Sequence, residues 1–543
     1  MSTRRQRSGV RVWVFAVVPM QSMGTRTKCS ALHRRRGIVL ILVLVVIALL
    51  SLAGLTFSEL MLIERKAAML SARQAQARAL ADSGTEMARL FVVLDRETQN
   101  EAGGWYDNPE RFRGVLVTGE EDPGRFTIVA PDLNKDGVYE GIRAGLEDES
   151  NRLNLNTLML ADEAEENGGR QLLMGLPGMT EEIADAILDW IDEDNETREF
   201  GAEADHYSSL VPAYAPKNGP LETVEELLLV RGVTPWLLFG TDANRNGWID
   251  GGEPVNESIG DADNTDGVMN RGWAAYLTLH SMELNTTPDG DLKIDLNQDD
   301  MENLYNELAE TVGTEWATFI VAYRQNGPYT GSRRGETPGA GQLDLKKKGS
   351  VQLSTVLDLV GTKVRVTYKG DKEATVLTEI FPYVPHMPGM MNAYLPVLMD
   401  QVTANPSPLI PGRININQAP RVLLEGIPGM DEEIVDTIMS ERVLNPIEAE
   451  PHRRHETWLL SEGHVTLEQM KALMPFVTGG GNVFRAQTIG YFDRGGPAVR
   501  IEVILDATTK PAVVAFWRDL SHLGRGYDLE TLGVAAPDLG VEE

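Results

Sequence analysis

The sequence predicts an α+β fold: a long N-terminal transmembrane and stalk helix, an antiparallel sheet, and a large inserted α-helical domain. Three observations predict it. An uncharged apolar run follows a basic cluster near the N-terminus, strand patterns of period two stand at both ends of the remaining chain, and a helical repeat lies between them.

The apolar run is Gly37 to Ser58, directly after His33-Arg34-Arg35-Arg36. It has no charge for about 21 residues, close to the ~20 needed to cross a ~30 Å hydrocarbon core. Arginines on its N-terminal side favour a cytoplasmic N-terminus and place the bulk of the chain across the bilayer. Beyond the membrane, Ala77, Leu80, Gly84, Met87 and Phe91 continue at helical spacing, so one helix is expected to reach about residue 95.

Val115 to Val117 and Phe126 to Val129 read as strands around the turn Asp122-Pro123-Gly124. Near the C-terminus, Val499, Ile501, Val503 and Leu505 alternate with polar residues, and Phe484 to Ile489 and Val513 to Trp517 supply further strands. A sheet divided between the two ends makes the middle an insertion.

The insertion contains a repeat. RLNLNT (152–157) precedes LMGLPGMTEEIADAILDWI (173–191), and RININQ (413–418) precedes LEGIPGMDEEIVDTIMSER (424–442). In each, a Pro-Gly pair (Pro177-Gly178, Pro428-Gly429) permits a tight turn, and Thr180 or Asp431 can cap the next helix. Both resemble helix-hairpin-helix (SAM-like) units. KIDLNQDD (293–300) is a related phrase without the proline-glycine turn.

The 543 residues allow several domains, and the formal charge of −30 argues against nucleic acid as a partner. Cys29 is the single cysteine and lies before the apolar run, which excludes disulfides and thiolate zinc sites from the rest of the chain.

The junction Arg34-Arg35-Arg36-Gly37 before an apolar helix resembles a prepilin leader, cut between Gly37 and Ile38 by a prepilin peptidase. Pilins carry a glutamate at the fifth mature position; here that residue is Leu42. The subunit known for lacking it is the minor pseudopilin K of type II secretion. DWIDEDNETREFGAEADHY (189–207), YAPKNGPLETVEELLLVRGVTPWLL (214–238) and RININQAPRVLLEGIPGM (413–430) look most like that family. The resemblance implies a non-enzymatic subunit with a pilin-like sheet, anchored once in the inner membrane with its bulk in the periplasm. It would meet the I and J minor pseudopilins at the tip of the pseudopilus and initiate or cap its assembly. It also implies calcium in the helical domain, for which Asp189, Asp192, Asp194, Glu199 and Glu203 are candidates.

A second calcium candidate comes from spacing alone. In DANRNGWIDGGE (242–253), Asp242, Asn244, Asn246, Asp250 and Glu253 stand at loop positions 1, 3, 5, 9 and 12, with the Trp248 carbonyl at 7 and Gly247 at the bend. Asp132, Asn134, Asp136 and Glu140 make a weaker copy ending in Arg143. His452 and His455, separated by arginines, read as surface polar residues, and Gly479 to Gly481 as a flexible linker.

The expected domains are a leader (1–37), the transmembrane and stalk helix (38–95), the first part of the sheet (96–150) and a first hairpin region (151–240). An extended insertion with the calcium loop (241–412) follows, longer than the family leads one to expect. A second hairpin region (413–477), the C-terminal strands (478–530) and an acidic tail (531–543) complete the chain. Two other readings fit parts of the sequence: a membrane-anchored calcium-dependent adhesin, and a DNA receptor using the hairpin units, which the acidic Glu181-Glu182 and Asp431-Glu432-Glu433 oppose.

Overall fold

The computed structural model describes residues 36–119, 121–254, 257–259, 262–337, 342–371 and 373–534. All but the last two residues of the expected leader, Cys29 included, and most of the acidic tail lie outside the described residues. The chain forms two compact units, Met1–Ser71 and Ala72–Glu543, and helix α1 (Arg36–Phe91) contributes to both.

Within the first unit, α1 is exposed from Val39 onward, and its apolar stretch is long enough and apolar enough to cross a membrane. Leu42 is 61% exposed, as expected of a side chain that meets lipid or another helix rather than its own protein. The helix stops at Phe91, short of the expected residue 95. Asp95 ends the apolar pattern by accepting Thr98 N–H and capping a separate turn, Arg96–Glu101.

In the second unit a seven-stranded antiparallel sheet joins the two ends of the chain. Its strands are β1 (Val115–Thr118), β2 (Gly124–Leu133), β3 (Tyr139–Ala144), β4 (Glu147–Asp148), β5 (Val483–Phe492), β6 (Val499–Asp506) and β7 (Val513–Asp519). The order is β1-β2-β5-β6-β7, with β3 on β2 and β4 on β5. Pairing of Gln487 with Val129 and Phe492 with Gly124 closes the sheet across the insertion. The weaker calcium candidate is the β2–β3 turn, where Asn134 Oδ1 accepts Asp136 and Val138 N–H.

One sheet face packs on α1 through Ala77, Leu80, Ala81 and Phe91 against Phe126, Ile128, Ile501 and Val503. Small residues allow the helix to come close. A Cβ on Gly490 of β5 would lie 2.1 Å from the Ala77 carbonyl oxygen, and one on Gly84 would lie 2.5 Å from Thr488 Cγ2. The other face is covered by Tyr527 and Leu532 from the chain's last described segment.

The insertion has its own core. Helices α2 (Gly168–Met174) and α3 (Glu181–Ile191) flank Pro177-Gly178, and α4 (Met301–Thr311) and α5 (Thr314–Asn326) follow the KIDLNQ phrase. Helices α6 (Arg421–Glu425) and α7 (Glu432–Glu441) flank Pro428-Gly429. Gly178 and Gly429 have φ of +69° and +78°, a region costly for other residues. Thr180 and Asp431 cap α3 and α7 as expected. The two turns meet: a Cβ on Gly175 would lie 2.8 Å from Gly426 Cα.

A third module occupies the extended insertion. Leu153–Asn154, Ile294–Asp295 and Ile414–Asn415 each form a short parallel ladder, with Leu277–Thr278, Val402–Thr403 and Val477–Thr478. In each phrase the Asn or Asp of the strand accepts the backbone N–H two residues on, at Asn156, Asn297 and Asn417. Those three asparagines then donate to the carbonyls of Leu221, Leu353 and Arg453. The same bonds recur, so KIDLNQ opens a copy of the module whose helical turn uses Gly313 in place of Pro-Gly.

Two expectations fail here. Gly479 to Gly481 are packed rather than a free linker: Gly481 N–H donates to Asp148, and a Cβ on Gly479 would lie 2.0 Å from the Arg454 carbonyl. His452 and His455 are half-buried, bonded to Glu462 at 2.7 Å and Asp400 at 2.9 Å; the latter ties the second module to the third.

Candidate metal centre

Helix α3 is amphipathic, with Asp185 and Asp189 on the stripe of Glu181 and Glu182 opposite its apolar residues, yet everything from Ile183 to Ile191 is buried. Asp185 and Asp189, one turn apart, are both 0% exposed. They are treated differently. Arg170 grips Asp185 through Nε and Nη2, each at 2.7 Å, and Phe200 N–H donates to it, so its charge is balanced. Asp189 receives the Arg198 backbone N–H at 3.3 Å, with Arg198 Nε 3.5 Å away, and a weaker backbone contact from Ala202.

The chain leaves α3 at Asp192 in extended conformation and loops back, so that Glu203 returns to the same spot at the start of a short helix, Ala204–Ser208. One carboxylate oxygen from each of Asp189, Asp192 and Glu203 lies within 4.8 Å of the other two. Glu203 is 4% exposed, and both its oxygens, with Asp192 Oδ1, are shielded from solvent and accept no hydrogen bond among the described residues. Loss of hydration, reinforced by mutual repulsion, pushes the Glu203 carboxyl up to about 7 and that of Asp192 to about 6.

These donors fit a cation. Buried unpaired carboxylate oxygens are costly on their own, and an all-oxygen set suits a hard divalent ion such as calcium. Room is reserved for it: a Cβ on Gly201 would lie 1.9 Å from Asp189 Oδ2. Of the residues expected from sequence, the structure brings these three together. Asp194 is exposed and accepts Glu196 N–H at 2.7 Å, acting on the cluster through its charge, and Glu199 is exposed on the same loop. Asp162 escaped the sequence reading. It pairs with Arg198 Nη2 at 3.3 Å and repels Asp192, but it stands far back in the chain with no spacing to mark it.

Loop 242–253 is drawn together as its spacing suggests. Asp242 accepts N–H from Asn246 and Gly247, and Asp250 Oδ2 accepts the side-chain amides of Asn244 and Asn246. Glu253 accepts the amides of Asn244 and Asp250. Arg500, buried beneath, donates to the Asn244 carbonyl, and Asn246 donates to the Gly526 carbonyl at 2.7 Å. The loop therefore ties the first module to the sheet through its own hydrogen bonds.

Residues 151–238, which include the carboxylate cluster, match the family model described as Type II secretion system (T2SS), protein K. Over this segment the chain is similar to protein K of type II secretion. The protein K of Klebsiella pneumoniae is 28% identical over 209 residues, 37% of this chain and 59% of that relative. The chain thus matches less than two thirds of the relative's length. The crystal structure of the GspK-GspI-GspJ complex from enterotoxigenic Escherichia coli aligns over 84% of this chain and 98% of the other at 11% identity, with a TM-score of 0.30. The adhesin and DNA-receptor readings gain no support from these relatives.

Proposed function

We propose that this protein is a minor pseudopilin, a non-enzymatic subunit at the tip of the type II secretion pseudopilus. It would initiate or cap assembly with the I and J minor pseudopilins and so support protein export across the outer membrane. The protein K match over 151–238 carries the reading, standing downstream of one long apolar helix and inserted into an antiparallel sheet. The exposed helix around Leu42 suits anchoring in the inner membrane and lateral packing with other pseudopilin helices. On this reading the bulk of the chain is periplasmic, and a prepilin peptidase cuts between Gly37 and Ile38.

The two Pro-Gly turns would act as helix-hairpin-helix units for protein contact. Their helices begin with Glu181-Glu182 and Glu432-Glu433, which repel a phosphate backbone and leave no place for nucleic acid. Calcium would be held by Asp189, Asp192 and Glu203, and loop 242–253 is a second calcium candidate through Asp242, Asn244, Asn246, the Trp248 carbonyl, Asp250 and Glu253. Bound there, the ion balances carboxylate charge and holds the loop 192–203 against α3.

Mass spectrometry of the N-terminus of native protein from the envelope fraction tests the assignment. A mature start at Ile38 is expected; an intact Gly37–Ile38 bond would leave an ordinary anchored protein and remove the pseudopilin reading.

A further inference from the structure

Away from the carboxylate cluster, the β2–β3 turn, loop 242–253 and the segment Gly267–Arg271 enclose a cleft of about 320 Å³. Its walls carry the rings of Tyr139, Trp248 and Tyr276, with Arg271 among them. Both tyrosine hydroxyls are engaged elsewhere: Tyr139 donates to Glu147 at 3.1 Å and Tyr276 to the Val268 carbonyl at 2.7 Å. The rings therefore contribute apolar surface.

Arg271 is differently placed from most buried arginines of this protein. Arg152, Arg170 and Arg485 all hold carboxylates. Among the described residues Arg271 forms neither a hydrogen bond nor an ion pair. Its guanidinium stacks 4.5 Å from the Tyr139 ring centroid, and Nη1 is shielded from solvent without an acceptor. The point a Gly247 Cβ would occupy lies 3.8 Å from Arg271 Cζ and Nε and 3.9 Å from Nη2, so the absence of a side chain there leaves a face of the guanidinium uncovered. A guanidinium without a partner offers N–H pairs that take a carboxylate through two parallel hydrogen bonds. Trp248 Nε1, likewise without an acceptor among the described residues, is a second donor in the same cleft.

We propose that this cleft binds a carboxylate borne on an apolar or aromatic stem, anchored by Arg271 with the stem between the aromatic rings. The charges present select the ligand. Glu140 lines the cleft and Asp242 lies within electrostatic reach of Arg271, so one positive charge faces two negative ones. Added negative charge is therefore costly, so a singly charged acid is disfavoured less than a phosphate dianion. The volume, near the lower end of the usual ~300–1,000 Å³ for ligand sites, fits one terminal residue or a small acid. A polypeptide C-terminus and a free carboxylic acid offer the same chemistry.

The test is calorimetric titration of the full chain in detergent, in calcium-containing buffer, with 3-phenylpropionate and with a tetrapeptide ending in phenylalanine, each beside its amide. Both acids should bind and both amides should not. R271Q should weaken acid binding roughly tenfold or more, the loss of one charge-assisted pair. If R271Q does not fold, W248F serves, since it keeps the wall and removes one donor; a fall of several-fold is expected. Tighter binding of the peptide acid than of the small acid identifies a polypeptide terminus as the source, and equal binding a free acid. Equal binding of acids and amides, or no acid binding at millimolar concentrations, overturns the proposal, as does unchanged affinity in a folded R271Q.

Discussion

Carboxylates of this protein differ in fate according to what meets them on burial. Asp185 and Asp189 sit one turn apart on the same helix face, yet Arg170 neutralises the first and nothing of comparable strength the second. Calcium should therefore raise the melting temperature of the protein, by the equivalent of about 2.7 kcal/mol at a hundredfold excess over Kd. E203Q should weaken calcium binding by roughly tenfold or more, and G201A should do so by filling the cradle beside Asp189. Calorimetric titration checks both, and unchanged affinity in E203Q would remove the cluster as a calcium site. Asp148 gives a pH signature away from this site. It accepts N–H groups from Ser150 and Gly481 and the Asn415 amide, but burial prevails and lifts its carboxyl from 3.8 to about 6. The folded chain thus keeps a proton that the unfolded chain releases near pH 4. The contribution is fully present below about pH 4 and lost as pH rises through about 6. The stability of wild type relative to D148N should fall by roughly 3 kcal/mol across that window in urea unfolding; a constant difference would mean Asp148 keeps its ordinary pKa.

Elements fit together here by omission of side chains as much as by apolar contact. The close approach of α1 to β5 depends on Gly490 and Gly84, and that of the two Pro-Gly turns on Gly175 and Gly426. G490A would drive a methyl group into backbone atoms of Ala77 and Ala81 and should cost about 1–3 kcal/mol. G389A, at a glycine with open space around it, should change stability little. Thermal denaturation of the two variants checks the contrast; equal stability would show that α1 can shift outward without loss.

At the scale of the whole molecule, the third module enters and leaves through a narrow neck. Met282–Leu284 pairs antiparallel with Leu409–Pro411, and Asn285 N–H donates to the Pro408 carbonyl at 2.9 Å. A short linker could replace residues 287–406 without moving the paired strands. The shortened chain should remain folded with lower stability, because Asp400 and Asp358 no longer meet Arg454, His455 and Lys471. Cooperative melting followed by circular dichroism checks this, and loss of any cooperative transition would make the third module integral to the core. The proposed tip position makes a further prediction: L42E should still assemble only at the tip if the bulky head decides placement, whereas incorporation along the filament, seen by cross-linking, would give the decision to the missing glutamate.

The sequence by itself determined the apolar helix, the strands at both ends, the Pro-Gly turns and their caps. Each depends on neighbours in the chain: an uncharged run, alternation, a glycine with positive φ, a side chain beside its own amide. It also marked the acidic stretch and the loop of Asp242 to Glu253. It did not separate Asp189, Asp192 and Glu203 from Asp194 and Glu199, nor reveal Asp162, because burial and missing partners arise only when α3 and the returning loop close on each other. The third module was marked only by its opening phrase, KIDLNQDD, and its closure was hidden for a related reason. Its ladder joins Ile294 to Val402, and hydrogen bonds between distant strands leave almost no mark on the intervening residues. Tertiary packing alone turned the three glycines before β5 and the two histidines into packed parts, since their roles depend on Arg454, Asp148, Asp400 and Glu462, which only folding brings near.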